Sequence, residues 1–182
     1  EQEKWKYVIN ICGKELPMAT THDIVQKLVK LNGSSSFLTK RADKHHGSVE
    51  RLKGKRVPFG LPYYKSMTYA AISYNFAQFL STNETALALF KFFKGCEISE
   101  EHFYATTYMI PGVPGGYDPR FKSLYFGIDA YIWLTGPRKH CAGKNVHSIC
   151  VVSVEELREV LQGNSGKQVH VFHNKYFQSV DH

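Results

Sequence analysis

Two adjacent carboxylates, Glu100 and Glu101, follow Ser99 at the start of a predicted short helix. Serine is a favoured N-cap residue, and acidic side chains in a first turn stabilise a helix by about 0.3–1 kcal/mol each because they oppose its dipole. A carboxylate on a rigid helix start is also a suitable general base when it faces a cleft. The two interpretations are compatible, and the spacing alone favours the structural one.

Other familiar signatures of chemistry are missing from the sequence. It contains no GxGxxG, Walker A, HExxH, GxSxG or Asp-x-Asp motif, and its four cysteines form no CxxC pair, so a zinc ribbon is not expected. Cys141 and Cys150 are close enough in sequence to close a short loop by a disulfide. Two sequons, at Asn32 and Asn83, fit a secreted or luminal chain.

Alternating strands and helices are predicted around these residues. Ser73 and Asn83 are expected to act as helix N-caps, and Ser153 with Glu156 forms a capping box. The alternation predicts an α/β fold around a mixed or parallel sheet. The predicted strands are 5–11 (buried), 66–73, 122–134 and 147–153. The predicted helices are 75–80, 84–93, 154–162 and 23–31, the last with Ile24, Val25, Leu28 and Leu31 on one apolar face. Residues 32–58 are predicted to be a polar, basic loop.

Length and composition fit one globular domain. The chain has 182 residues, of which 43% are hydrophobic and 21% charged, and a net charge of +7. Much of the positive excess lies in residues 40–56. Because no aromatic residues are interleaved there, nucleic-acid binding is not expected. No run of 18 apolar residues occurs, so no membrane span is predicted within these residues.

Five segments in the same order resemble one enzyme family, the core 2 and I-branching β-1,6-N-acetylglucosaminyltransferases. Residues 7–33 resemble the family's INLCG-x-[DE]-x-P stretch, and residues 64–76 its strand-to-helix element. SEEHFYATTYMIPGVPG (99–115) is similar to its acidic-Glu-x-x-aromatic-Ala-Thr segment and the IP-x-VPG that follows. Residues 141–157 and 172–176 resemble its cysteine-bounded loop and its NK-aromatic segment.

This resemblance implies a Rossmann-like GT-A glycosyltransferase fold with a mixed sheet flanked by helices, an inverting mechanism and no metal or other cofactor. The donor would be UDP-N-acetylglucosamine and the acceptor a glycan containing galactose or N-acetylgalactosamine. Residues 1–182 would be the C-terminal acceptor-binding and catalytic portion. The nucleotide-binding half, the stem and a single membrane anchor would precede residue 1, and the full-length protein would be a type II membrane protein facing the Golgi lumen.

Matching motif positions also imply roles for individual residues. Glu101 takes the place of the catalytic base, which receives the proton of the acceptor's 6-hydroxyl, and Glu100 remains a helix-start residue. Lys175 takes the place of the lysine that binds the diphosphate. His147 stands where the family has an arginine, and a histidine titrates near pH 6.5 and lacks the bidentate fork, so its support of the diphosphate would be weaker or pH-dependent. Cys141 and Cys150 match the family's disulfide pair.

Acceptor recognition carries over less completely. The family has an acidic residue near position 38, where this chain has Leu38, so acceptor choice is expected to differ. Arg51 matches a basic acceptor-contacting residue if one gap is allowed, and Trp133 or Tyr131 offers an aromatic platform for a sugar face. For these aromatic residues, ordinary strand packing is the alternative.

Two other functions compete with the branching activity. The xylosyltransferase branch of the family is one, although its carboxylate segment usually runs to FFHT where this chain has FYAT. The other is a glycan-binding pseudo-enzyme, which His147 and Leu38 favour.

Overall fold

The computed structural model describes residues 5–11, 13, 15–43, 49–122, 130–132, 145–146, 149–151 and 171–174. The chain forms two compact units. The first comprises Glu1–Asn10 and Val29–Tyr125, and the second comprises Ile11–Leu28 and Phe126–His182. Its α-helices are α1 (Thr21–Lys30), α2 (Tyr74–Thr82), α3 (Glu84–Phe93) and α4 (Ser99–Tyr108). Its strands are β1 (Tyr7–Asn10), β2 (Glu15–Pro17), β3 (Ser36–Arg41), β4 (Tyr64–Ser73), β5 (Ala130–Ile132), β6 (Asn145–Val146), β7 (Ile149–Cys150) and β8 (Phe172–Asn174).

A three-stranded antiparallel sheet organises the first unit. The long strand β4 lies in the centre, with β1 on one side and β3 on the other. The register pairs Tyr7 with Ser73 and Ser36 with Ala71, and it shifts between Phe37 and Thr39. The shift marks a bulge, which bends β3 locally and changes the direction of the side chains that follow.

Three helices follow β4 along the chain, and local capping explains where two of them begin. Ser73 Oγ accepts a hydrogen bond from the amide of Phe76 at the start of α2. The Asn83 side chain accepts hydrogen bonds from Thr85 N (2.9 Å) and Ala86 N (3.4 Å) at the start of α3. Both caps, and the strand that ends at Ser73, confirm the sequence-based expectation.

The core of the first unit is rich in aromatic rings. Phe37, Phe76 and Tyr108 are almost fully buried, and their ring centroids lie 5.0–6.0 Å apart in pairs. A second group packs helices α3 and α4 against the segment that precedes β4, and comprises Ala42, Leu52, Val57, Tyr63, Leu89, Phe93 and Phe103. These contacts fix α4 against β4, and this junction carries the candidate site.

The second unit contains the shorter strands. β8 pairs antiparallel with β2 and parallel with β5, which makes a mixed three-stranded sheet. β6 and β7 form an antiparallel two-stranded pair. The prediction of an α/β fold with a mixed sheet is confirmed, while the GT-A topology stays a prediction.

Three sequence-based expectations are wrong in the first 60 residues. The basic loop predicted for 32–58 contains β3, which alternation did not reveal because SFLTKR is polar at both ends. The first strand is not buried, since Val8 on the edge strand β1 is 47% exposed. The apolar face predicted for 23–31 is buried only at Leu31, which follows the end of α1; within the helix, Val25 is 47% exposed.

Among the described residues, none of the helices has the length and apolar character needed to cross a bilayer.

Candidate active site

Glu101 lies in the first turn of α4, as predicted, but the helix starts differently from the expectation. Ser99 is already the first helical residue and is not the N-cap. The N-cap position is Ile98, whose backbone is left-handed (φ 51°, ψ 49°) and which supplies no capping side chain. The acidic pair therefore provides the favourable charge at this helix start. Glu100 is exposed, whereas Glu101 is partly buried.

The first residues of β4 hydrogen-bond to α4 near its start, at Glu101, and near its end, at Thr106. Thr106 Oγ1 accepts a hydrogen bond from Tyr64 N (3.2 Å) and donates one to Tyr64 O (3.3 Å). Ser66 Oγ donates to the backbone oxygen of Glu101 (3.4 Å). Lys65 lies between Tyr64 and Ser66. Because both of these residues hydrogen-bond to α4, the packing of β4 on α4 sets the position of Lys65 relative to Glu101.

Glu101 forms an ion pair with Lys65. Lys65 Nζ lies 3.0 Å from Glu101 Oε2, and the two side chains are only 23% and 16% exposed. Oε2 is buried, and it makes no hydrogen bond to the described residues, so the ammonium is its only close charged contact there. A carboxylate in this setting is anchored through one oxygen.

A neutral histidine lies beside the carboxylate. His102 is fully buried, and Tyr63 Oη and His102 Nδ1 lie 2.9 Å apart in a hydrogen bond. Burial, and then the positive charges of Arg51 and Lys65, lower the pKa of His102 to about 4. Burial raises the pKa of Tyr63 to about 12. Both groups therefore stay uncharged near neutral pH.

Because His102 is buried in its neutral form, we expect the folded protein to lose stability in acid. An unfolded histidine binds its proton near pH 6.5, whereas folded His102 does so near pH 4. Between these values the unfolded state holds more protons, so the free energy of unfolding should fall as pH falls from 6.5 to 4, by up to about 1.4 kcal/mol per pH unit. Denaturant titration of the intact protein across this window measures the slope.

His102→Asn is the variant that tests this origin of the slope. The asparagine amide replaces Nδ1 as the partner of Tyr63 but does not titrate, so the slope between pH 6.5 and 4 should flatten. His22→Asn, at an exposed histidine of α1, is the control that should keep the slope. An unchanged slope in His102→Asn would assign the acid sensitivity to other groups.

The folded chain also brings Arg51 close to Tyr63 and His102. Its charge contributes to the pKa of both Tyr63 and His102. Nη1 of Arg51 is buried and has no hydrogen-bond partner among the described residues, and the same is true of His102 Nε2. Buried polar groups in native structures usually have a hydrogen-bond partner, so these two nitrogens are exceptions. Leu38 is partly buried in β3 at the bulge.

A surface cavity of about 380 Å³ borders the segment that leads into β4. Its charged lining is mainly basic, from Arg41, Lys55 and Arg56 with Asp43, and Tyr63 also contributes to it. Arg41 is already engaged, since its NH2 group lies 2.8 Å from Asp43 Oδ2. Glu101 does not line this cavity. Tyr63 thus lies in the cavity wall and also hydrogen-bonds to His102, which follows Glu101 in α4.

Several predicted site residues lie outside the described part of the chain. These are Lys175, His147, Trp133 and Cys141, so the expected sharing of one site by Glu101 and Lys175 stays a prediction. Tyr131 belongs to β5 through its backbone. Cys150 is buried and disulfide-bonded, and its pairing with Cys141 stays a prediction. Cys96 is a free cysteine.

The two sequon asparagines have different surroundings. Asn32 is exposed and has a left-handed backbone (φ 45°). Asn83 is partly buried and uses its side-chain oxygen to cap α3. Their glycosylation stays a prediction.

Metal ligation finds no support in the part of the chain that the structure describes. No group of three or more histidine, cysteine, aspartate or glutamate side chains is placed there to hold an ion. Among the described residues, Lys65 supplies the positive charge in ion-pair contact with Glu101.

Sequence reasoning missed three members of the site: Lys65, Tyr63 and His102. His102 follows the flagged carboxylate directly, but a single histidine in a helix carries no pattern. Lys65 and Tyr63 lie more than 30 residues before Glu101. Lys65 belongs to the segment 64–76 that resembles the family's strand-to-helix element, but that resemblance gave it no role. Only the packing of β4 on α4 brings them to the carboxylate.

Comparison with known proteins gives a family match and several similar enzymes. The model of the core-2/I-branching enzyme family matches residues 1–161. The chain is 31% identical to a mouse N-acetyllactosaminide β-1,6-N-acetylglucosaminyltransferase over 94% of its length. It is 28% identical to a human β-1,3-galactosyl-O-glycosyl-glycoprotein β-1,6-N-acetylglucosaminyltransferase over 97% of its length.

These similarities cover only part of each relative. The matched region is 46% of the mouse enzyme and 46% of the human enzyme. The chain therefore spans about half the length of the curated relatives that it matches.

Proposed function

Because this chain belongs to the family of core-2/I-branching enzymes, we propose that it is the acceptor-binding and catalytic portion of a β-1,6-N-acetylglucosaminyltransferase. The observation that carries the proposal is the family match over residues 1–161. Similarity to transferases of this kind over 94–97% of the chain supports it. The donor in this proposal is UDP-N-acetylglucosamine, and the acceptor is a glycan that contains galactose or N-acetylgalactosamine.

The proposed reaction is a single displacement that inverts the anomeric centre. The acceptor's 6-hydroxyl oxygen forms a bond to the anomeric carbon while the bond from that carbon to the diphosphate breaks. The hydroxyl proton passes to the Glu101 carboxylate, and UDP leaves with the bonding electrons. The partly exposed carboxylate on a fixed helix start supports this role, because general-base catalysis requires a positioned acceptor for the proton.

Departure of UDP requires positive charge near the diphosphate. In this proposal Lys175 and His147 supply it, and no metal is needed. Arg51 contacts the acceptor in this proposal, because it matches a basic acceptor-contacting residue of the family. Trp133 provides a sugar platform.

The remaining expectations complete the proposal. The fold is of the GT-A type, and residues 1–182 form the C-terminal part of one glycosyltransferase domain. A disulfide joins Cys141 to Cys150, and Asn32 and Asn83 carry glycans. The full-length protein is anchored in the Golgi membrane and faces the lumen.

Incubation of the intact protein with UDP-N-acetylglucosamine and a panel of galactose- and N-acetylgalactosamine-terminated acceptors tests the activity. UDP release together with a product in which N-acetylglucosamine is β-1,6-linked is the expected result. UDP-xylose in the same assay tests the xylosyltransferase alternative. Transfer of xylose alone would replace the proposed donor.

A glycan-binding pseudo-enzyme is the second candidate, because His147 and Leu38 stand where the family has an arginine and an acidic residue. It would bind the acceptor glycan and release no UDP with either donor. Acceptor binding measured by calorimetry, next to the UDP-release assay, separates the two candidates.

A further inference from the structure

Glu101 is the proposed base, and its ion pair with Lys65 gives its two carboxylate oxygens different surroundings. Oε2 of Glu101 is buried and lies 3.0 Å from Lys65 Nζ. The side chain as a whole is 16% exposed, so its remaining accessibility lies at atoms other than Oε2. Since Oε2 is buried, Oε1 is the carboxylate oxygen that remains for an incoming hydroxyl.

Lys65 is held in place by the same contacts that hold α4. Its neighbours Tyr64 and Ser66 hydrogen-bond to Thr106 and to the backbone of Glu101. Lys65 is opposite Lys40 in the register of β4 and β3.

We propose that Lys65 is a positioning residue for Glu101, which fixes the carboxylate through Oε2 and presents Oε1 to the acceptor hydroxyl. This inference depends on the proposed role of Glu101 as the base. Lys65 touches neither substrate nor leaving group in this arrangement. It acts by restricting the rotation of the carboxylate about its last side-chain bond, and misplacement of a reacting group by about 1 Å can cost about 10²-fold in rate.

Other groups around Glu101 do not duplicate this role. His102 and Tyr63 are hydrogen-bonded to each other, and burial keeps both side chains uncharged near neutral pH. Glu100 is exposed, and Arg51 forms no ion pair with Glu101. Among the described residues, Lys65 is the cation in ion-pair contact with the carboxylate.

Lys65→Met in the intact enzyme should lower kcat by about tenfold to a hundredfold and leave the KM for the donor within about twofold. Lys65→Arg keeps the positive charge and should restore kcat to within a few-fold of the wild type. Lys40→Met removes the same charge from the opposite position on β3 and should leave both constants unchanged. If Lys65→Met does not fold, Lys65→Gln replaces it, since its amide keeps a polar end near Oε2.

A double variant shows whether Lys65 acts through Glu101. In a Glu101→Gln background, Lys65→Met should cause no further loss of single-turnover rate. An equal loss in both backgrounds, or a wild-type kcat in Lys65→Met, would overturn the inference. Failure of the proposed function looks different: the wild type would transfer no sugar, or Glu101→Gln would remain active whatever the residue at position 65.

Discussion

Replacing Glu101 by glutamine should lower the turnover with UDP-N-acetylglucosamine by about 10²–10⁴-fold while UDP affinity stays nearly unchanged. Glutamine has almost the same shape, but its neutral amide cannot take the proton of the acceptor hydroxyl. UDP affinity is retained because the diphosphate is assigned to Lys175 and His147. Steady-state kinetics and calorimetric titration with UDP on the intact enzyme measure the two quantities.

Glu100→Gln is the matched control. It removes the same charge from the same helix turn, and Glu100 is exposed and lacks the ion pair that Glu101 has with Lys65. Its turnover should remain within a few-fold of the wild type. If both variants lose activity equally, the effect belongs to the charge at the helix start, and if Glu101→Gln keeps substantial turnover, Glu101 is not the base.

Replacing Gly115 by alanine should produce the largest loss of stability, about 3 kcal/mol or more in the free energy of unfolding. Gly115 has a left-handed backbone (φ 67°), and its amide oxygen accepts a hydrogen bond from Ser35 N (2.7 Å). A Cβ atom there would overlap Ser73 Oγ and lie only 2.9 Å from Phe76 N. These are the two groups that form the N-cap of α2, so the added methyl group must displace the cap.

Gly112→Ala separates this crowding from backbone strain. Gly112 lies in the same loop and is also left-handed (φ 76°), but no atom lies within 4 Å of a Cβ placed there. Its alanine variant should lose only the conformational term of about 1–2 kcal/mol. Denaturant unfolding of both variants gives the difference, and equal losses would show that the cap is not disturbed.

Local features were the ones that the sequence predicted well. The caps at Ser73 and Asn83 form as expected, because a capping side chain bonds to amides only two or three residues away. The strand that ends at Ser73 was also predicted from its local sequence, residues 66–73. The position of Glu101 in the first turn of a helix was also predicted from local signals, although the N-cap is Ile98 instead of Ser99.

Longer-range features were not predictable in the same way. β3 was assigned to a loop because the surrounding segment is polar and basic, and it is a strand because β4 supplies its partner. The exposure of Val8 depends on the order of strands in the sheet, which places β1 at an edge. In each case the local structure depends on a contact with residues that are distant in the sequence.

The sequence by itself determined the family, the positions of the helix caps and the carboxylate most suited to act as a base. Only the tertiary structure decided which neighbours that carboxylate has. Lys65 reaches Glu101 across 36 residues, and Tyr63 meets His102 across 39, because β4 packs on α4. Motif and periodicity follow from the local chemistry of the chain, whereas the ion-pair partner and the burial of Glu101 follow from elements that meet only when the chain is folded.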